Sequence, residues 1–205
     1  FAWKVLGIVL KKTGRINEAL FANQKSVQLE PMNMETNFNL GNTLQELGRL
    51  EEAETYHRKA ISIKPGYAEA HNNLGFTFQR IGRLEEAEVS YRKAIKLKPD
   101  YAEAHNNLGN TLKELGRLEE AEVSYRKAIK LKPDYAEAHN NLGNTLKELG
   151  RLEEAEVSYR KAIKLKPDYA EAYYNLSNNL SYMNDLEKEI NLSLIHISEP
   201  TRLGM

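Results

Sequence analysis

The 205-residue chain has no cysteine, which excludes disulfides and thiolate metal centres. It suits a reducing cytoplasm, the location expected from sequence. Excess charge is also missing: 29 Lys and Arg balance 29 Asp and Glu, so the net charge draws the chain toward neither nucleic acid nor an anionic membrane surface. No apolar run approaches the roughly 20 residues of a membrane-spanning helix, and the amino terminus lacks the charged, apolar, small-residue order of a signal peptide. The chain starts at Phe1 without a methionine and reads as a fragment of a longer protein. Catalytic signatures are missing as well. There is no G-x-x-x-x-G-K-[ST] phosphate loop, no G-x-G-x-x-G, no H-E-x-x-H and no G-x-S-x-G. Neither an enzyme nor a cofactor is expected in this stretch.

What the chain does have is a repeat. The 34 residues Ala102 to Tyr135, AEAHNNLGNTLKELGRLEEAEVSYRKAIKLKPDY, recur without change as Ala136 to Tyr169, and Ala68 to Tyr101 differs only at Phe76, Phe78, Gln79, Arg80 and Ile81. Prolines keep the period as Pro31, Pro65, Pro99, Pro133 and Pro167. Two glycine series keep it too: Gly7, Gly41, Gly75, Gly109, Gly143, and Gly14, Gly48, Gly82, Gly116, Gly150. Self-similarity at this period overrides domain counts based on length and points to a solenoid. The units are about 1–33, 34–67, 68–101, 102–135 and 136–169, with a truncated unit over 170–191.

Each unit reads as two antiparallel helices. Asp134 and Glu137 have the spacing of a capping box, and Gly150 sits where a left-handed residue would close the helix, so a first helix is predicted over about Tyr135 to Leu149. In the sister unit Ala104, Leu108, Leu112 and Leu115 recur at spacings of four and three, one apolar stripe. A second helix over about Leu118 to Lys132 carries the stripe Leu118, Ala121, Tyr125, Ala128 and Ile129, with Glu122 facing Arg126 one turn on. One pair buries too little to offset about 1.5 kcal/mol per ordered residue. Stacking on neighbouring pairs must supply the remainder.

Trp3, Leu6, Gly7, Ala19 and Pro31 carry a resemblance to the tetratricopeptide repeat, with its W-x-x-L-G, A and P pattern at this period. The resemblance covers Phe1 to about Asn191 and implies an all-α, right-handed superhelical solenoid of antiparallel helix pairs. Leu10, Leu44, Leu112 and Leu146 replace the family's usual tyrosine, and His71, His105 and His139 replace its tryptophan. Ser177 and Asn184 stand where the sixth unit would have its glycines. Beyond it, the period breaks. Leu192 to Arg202 resembles the in-frame translation of a transposon-type sequencing adaptor, so residues 192–205 are expected to be a non-native tail and the sixth unit's second helix to be cut after Asn191.

Adjacent glutamates such as Glu119 and Glu120 point about 100° apart on a charged helix face and are expected to form salt bridges in solvent. A shared zinc for His71, His105 and His139 is disfavoured. Packed helices stand about 8–10 Å apart, while imidazole nitrogens must approach one zinc to about 2.0–2.1 Å. Packing roles are expected for them and for His57, which replaces the tyrosine of Tyr91, Tyr125 and Tyr159.

The asparagines Asn39, Asn73, Asn107, Asn141 and Asn175 recur every 34 residues just before the leucine of the Leu-Gly pair, Leu-Ser in the last case. Carboxamides offer donors and an acceptor, so a ladder of them can pair with the backbone of an extended peptide or tie neighbouring helices together. Resemblance to the repeat region of O-linked N-acetylglucosamine transferases implies the first role, on an inner surface. The family resemblance also implies that Glu103, Asn106, Asn110 and Lys113, with Glu137, Asn140, Asn144 and Lys147, line the concave face. That groove is polar and mixed in sign, unlike the basic track with stacking aromatics of single-strand nucleic-acid binders.

Sequence thus favours a scaffold that holds a protein or peptide segment in the groove, without metal or cofactor, nucleic acid or membrane. A second reading is the substrate-presenting part of a larger transferase. End-to-end self-association of the stack is a further expectation.

Overall fold

The computed structural model describes the backbone of residues 2–198 and the side chains of residues 2–187. Among the described residues there are eleven helices and no strands. The first compact unit, residues 1–131, holds α1 Ala2–Lys12, α2 Ile16–Leu29, α3 Met34–Glu46, α4 Leu50–Ile63, α5 Ala68–Arg80, α6 Leu84–Leu97, α7 Ala102–Glu114 and α8 Leu118–Leu131. The second, residues 132–205, holds α9 Ala136–Glu148, α10 Leu152–Leu165 and α11 Ala170–Ser198. Within each unit a helix packs on the next one in the chain, and first helices also touch first helices: α1 on α3, α3 on α5, α5 on α7, and α9 on α11.

The turn inside each pair follows from one glycine. Gly116 takes φ +74°, where a side chain is disfavoured. Its amide donates to the Lys113 carbonyl at 2.9 Å and the Arg117 amide to the Leu112 carbonyl at 2.9 Å, the two bonds of a Schellman motif. The other close approach is at Gly109. A Cβ there would lie 2.6 Å from Cε1 of Tyr125, so the missing side chain lets α8 press its tyrosine onto α7. Tyr125 is fully buried, as are Tyr91 and Tyr159 at the matching positions.

Around these contacts Ala104, Leu108 and Leu112 of α7 and Ala121 and Ala128 of α8 are all buried. On the outer side Arg117 forks onto Glu120, with Nε to Oε1 and Nη2 to Oε2 both 2.7 Å. Its Nη1 reaches Glu88 of the preceding second helix at 2.8 Å, so one side chain clips two repeats together. Glu122 and Arg126 pair at 2.8 Å, as the sequence predicts.

Two expectations need correction. The Asp134–Glu137 capping box does not form: Tyr135 occupies the N-cap with no side-chain hydrogen bond, and α9 begins at Ala136. Asp134 therefore falls one residue outside the helix, while Lys132 covers the Tyr135 ring at 4.8 Å from its centroid. The sixth unit also differs. Instead of turning near Asn184, α11 runs unbroken from Ala170 to Ser198. Positive φ occurs only at glycines among the described residues, and no glycine stands at 184 to make the turn. The tail expected over 192–205 lies outside the described residues from 199 onward.

Candidate functional site

The first-helix face carries the asparagine series, and the structure gives most of it hydrogen bonds between helices. In the first unit Asn107 donates from Nδ2 to Oδ1 of Asn72 at 3.2 Å. Asn72 donates to Oδ1 of Asn73 at 3.1 Å, and Asn73 donates to Oδ1 of Asn42 at 2.7 Å. Four carboxamides thus form one donor-to-acceptor chain across α7, α5 and α3. In the second unit Asn175 donates to Oδ1 of Asn140 at 3.0 Å, and Asn140 donates to Glu171 at 3.0 Å.

This geometry revises the groove set. Asn106 and Asn140 are buried, so the expectation that they line an open groove is corrected. Side chains at that position turn toward the neighbouring first helix, where a carboxamide without a partner would be costly. Asn110 and Asn144 are half-buried, and each accepts the hydroxyl of the tyrosine below it, Tyr125 at 2.8 Å and Tyr159 at 2.9 Å. Glu137 faces Lys166 at 3.6 Å. Glu103 is exposed at the start of α7, and Lys113, Asn141 and Lys147 are half-exposed on α7 and α9.

Asn39 is the exception in the ladder. It is half-exposed, and its carboxamide has no hydrogen-bond partner among the described residues. The reason lies one repeat earlier: where α3 offers Asn42 to Asn73, α1 has Ile8, which accepts nothing. Asn39 instead borders a cleft of about 280 Å³ between α1 and α3, lined also by Gly7, Ile8, Lys11, Lys12, Asn23 and Asn42. Asn23 is pinned there by a 2.9 Å bond from Nδ2 to Oγ1 of Thr43. Sequence reading missed Asn42, Asn72 and this cleft. Asn42 matches Asn110 in the repeat, so the period held the signal; Asn23 stands in the tyrosine series and gave none.

The histidines stay apart. Nε2 of His71, His105 and His139 lies 3.0, 3.3 and 3.2 Å from the carbonyls of Pro65, Pro99 and Pro133. Partial burial lowers all three pKa values. Each ring thus ties its first helix to the preceding proline turn. Among the described residues no group of three or more His, Asp or Glu is placed to hold a metal. No helix among them is long and apolar enough to cross a membrane. Glu119 is exposed, and Glu120 is engaged by Arg117.

Comparison with known proteins agrees with this architecture. Solved structures that superpose on the chain include MamA, 27% identical with a TM-score of 0.70 over 80% of this chain and 96% of that one. Another is TTC0263, a thermophilic TPR protein of Thermus thermophilus, 25% identical with a TM-score of 0.73 over 87% and 97%. YrrB, described as a TPR protein with an unusual peptide-binding site, shares the fold at 22% identity and a TM-score of 0.67, over 84% and 89%. No curated protein sequence matches significantly. A sequence model of the TPR repeat matches residues 41–82, 80–116, 109–150 and 143–178, more than half of the chain. With its helix pairs, its glycine turns and its stacked first helices, the chain belongs to the tetratricopeptide repeat family.

Proposed function

We propose that the chain is a protein-interaction scaffold and that the first-helix face of its first unit holds an extended peptide segment, with Asn39 as a backbone-reading contact. The observation that carries this reading is the unpaired Asn39 carboxamide at the edge of the α1–α3 cleft. A peptide amide there can both donate to and accept from it. Lys12 beside it is exposed, and Lys11 is half-exposed and held by Glu46 at 3.0 Å. The cleft therefore favours a segment with an acidic group near an apolar side chain that covers Ile8. Asn73 and Asn107 each already give one donor to a neighbouring helix, so they also tie the stack together.

The test is a pair of variants. A peptide captured by the chain from lysate is re-synthesised, and its affinity is measured with thermal melts alongside. Asn39→Ala is expected to weaken binding about tenfold with an unchanged Tm. Asn73→Ala, which strands Asn42 and Asn72, is expected to lower stability by about 1–2 kcal/mol. Equal affinity of Asn39→Ala and the parent chain removes the proposal.

End-to-end association is favoured by a specific observation on α1. Leu6 is 42% exposed, whereas Leu40, Leu74, Leu108 and Leu142 at the same repeat position are buried. Val9 is 50% exposed where Thr43, Thr77, Thr111 and Thr145 are buried. We infer that α1 presents the stacking surface of a repeat and accepts another helix pair from a second copy.

A further inference from the structure

The first unit carries a second cleft that shares no lining residue with the Asn39 cleft. Between α6 and α8 lies a cleft of about 490 Å³, floored by Leu108 and His105 of α7, with Ile95 and Val123 as apolar walls. Arg92, Lys96 and Lys127 complete the lining, together with Ser124, and no carboxylate is among the lining residues. Arg92 is held at the rim by Glu88 at 2.8 Å and by Glu120 at 3.5 Å. Lys96 and Lys127 are exposed and form no ion pair among the described residues. Lys127 is close enough to His105 to help burial hold its pKa down.

Val123 adds exposed apolar surface at this cleft. It is 68% exposed, as are Val89 and Val157 at the same repeat position. A β-branched residue lowers helix propensity, and an exposed one gains little from burial. Beside Ile95 and Leu108, Val123 extends an apolar strip bordered by two uncommitted ammonium groups. Such a lining is complementary to a side chain that is apolar, on a backbone whose neighbours are acidic.

We propose that the α6–α8 cleft docks an acidic segment of a partner protein, inserting one aliphatic side chain over Leu108 and placing carboxylates at Lys96 and Lys127. The matching residues one repeat earlier are Arg58, Ile61, His71, Leu74, Val89 and Lys93, with Ser62 in place of Lys96. That copy has one lysine fewer, so the α6–α8 cleft is the tighter of the two.

The test uses the full chain and a fluorescein-labelled peptide of repeated Glu-Glu-Leu, read by fluorescence anisotropy. Lys96→Glu with Lys127→Glu is expected to weaken binding at least tenfold, and Val123→Ser about threefold. In an Asn39→Ala background the lysine pair should weaken binding by the same factor as in the parent chain, which separates this cleft from the Asn39 cleft. Lys96→Ala with Lys127→Ala serves as the milder pair should charge reversal disturb folding; it too should weaken binding, with an unchanged melting temperature. Equal binding of a Glu-Glu-Ser peptide would mean charge attraction alone and overturn the proposal. Displacement of the peptide by phosphatidylserine vesicles would assign the cleft to lipid, and dimers abolished by the lysine variants would assign it to a second copy. Either result overturns it, as does binding unaffected by both lysine pairs.

Discussion

His57 is the residue where one repeat departs most from its neighbours. It fills the position of Tyr91, Tyr125 and Tyr159, fully buried against Gly41, and neither ring nitrogen has a hydrogen-bond partner. Burial first, and then the charge of Lys11, lowers its pKa from 6.5 to about 3. The unfolded chain takes up a proton at this histidine below about pH 6.5, whereas the folded chain does not until about pH 3. Between those values the unfolded state binds more protons, so acid costs stability at up to about 1.4 kcal/mol per pH unit. His57→Tyr is expected to remove this acid sensitivity, because Asn42 stands where Asn110 accepts the Tyr125 hydroxyl. Urea unfolding at pH 7 and pH 5 checks it: the parent chain loses stability between them, while the variant loses markedly less. The asparagines teach a related lesson. Identical residues at one repeat position differ in their surroundings, since Asn73 and Asn107 each give a donor to a neighbouring helix, while Asn39 has Ile8 at the repeat position that gives Asn73 its acceptor.

At the scale of the element, the turn glycine decides where a helix ends. Gly116 at φ +74° allows both Schellman bonds, and nothing crowds a Cβ there, so a substitution costs backbone strain alone. Gly116→Ala is expected to lower stability by about 1–2 kcal/mol. Gly66 is the natural control. It is exposed, has open space around it and does not take a positive φ, so Gly66→Ala should be neutral or slightly stabilising. Chemical denaturation of the two variants side by side measures the difference, and equal stabilities would show that the left-handed glycine is dispensable. After α2 the second turn has a side-chain cap, Asn33 accepting from the Glu35 and Thr36 amides, but the later repeats use other means. Lys98, Lys132 and Lys166 lie 4.7, 4.8 and 4.8 Å from the ring centroids of Tyr101, Tyr135 and Tyr169. That pairing replaces the aspartate cap which the sequence pattern suggests.

For the molecule as a whole, the surface that stabilises the stack is also the one expected to associate. In the first unit α3, α5 and α7 each cover their leucine with the preceding pair, and α1 exposes its own. Association through α1 is therefore expected to rise with concentration. Sedimentation velocity over a hundredfold range should show oligomers, and Leu6→Glu with Val9→Glu should return the chain to monomer. A monomer throughout for the parent chain counts against end-to-end stacking. This surface and the two clefts are separable, since neither Leu6 nor Val9 lines either one.

The 34-residue period by itself determined the helix pairs, the turn glycines, the packing aromatics and the family, because each follows from local spacing and from one unit's similarity to the next. Predicted limits of Tyr135 to Leu149 fall within one residue at each end of α9. What period cannot show is which neighbour a polar side chain meets. Burial of Asn106 and Asn140, the relay from Asn107 through Asn72 and Asn73 to Asn42, and the bare carboxamide of Asn39 depend on contacts between repeats. The unbroken α11 and the pairing of Lys132 with Tyr135 in place of an Asp134 cap were likewise decided in three dimensions. A repeated sequence fixes what each unit offers; the stack decides which of those groups are already taken and which remain for a partner.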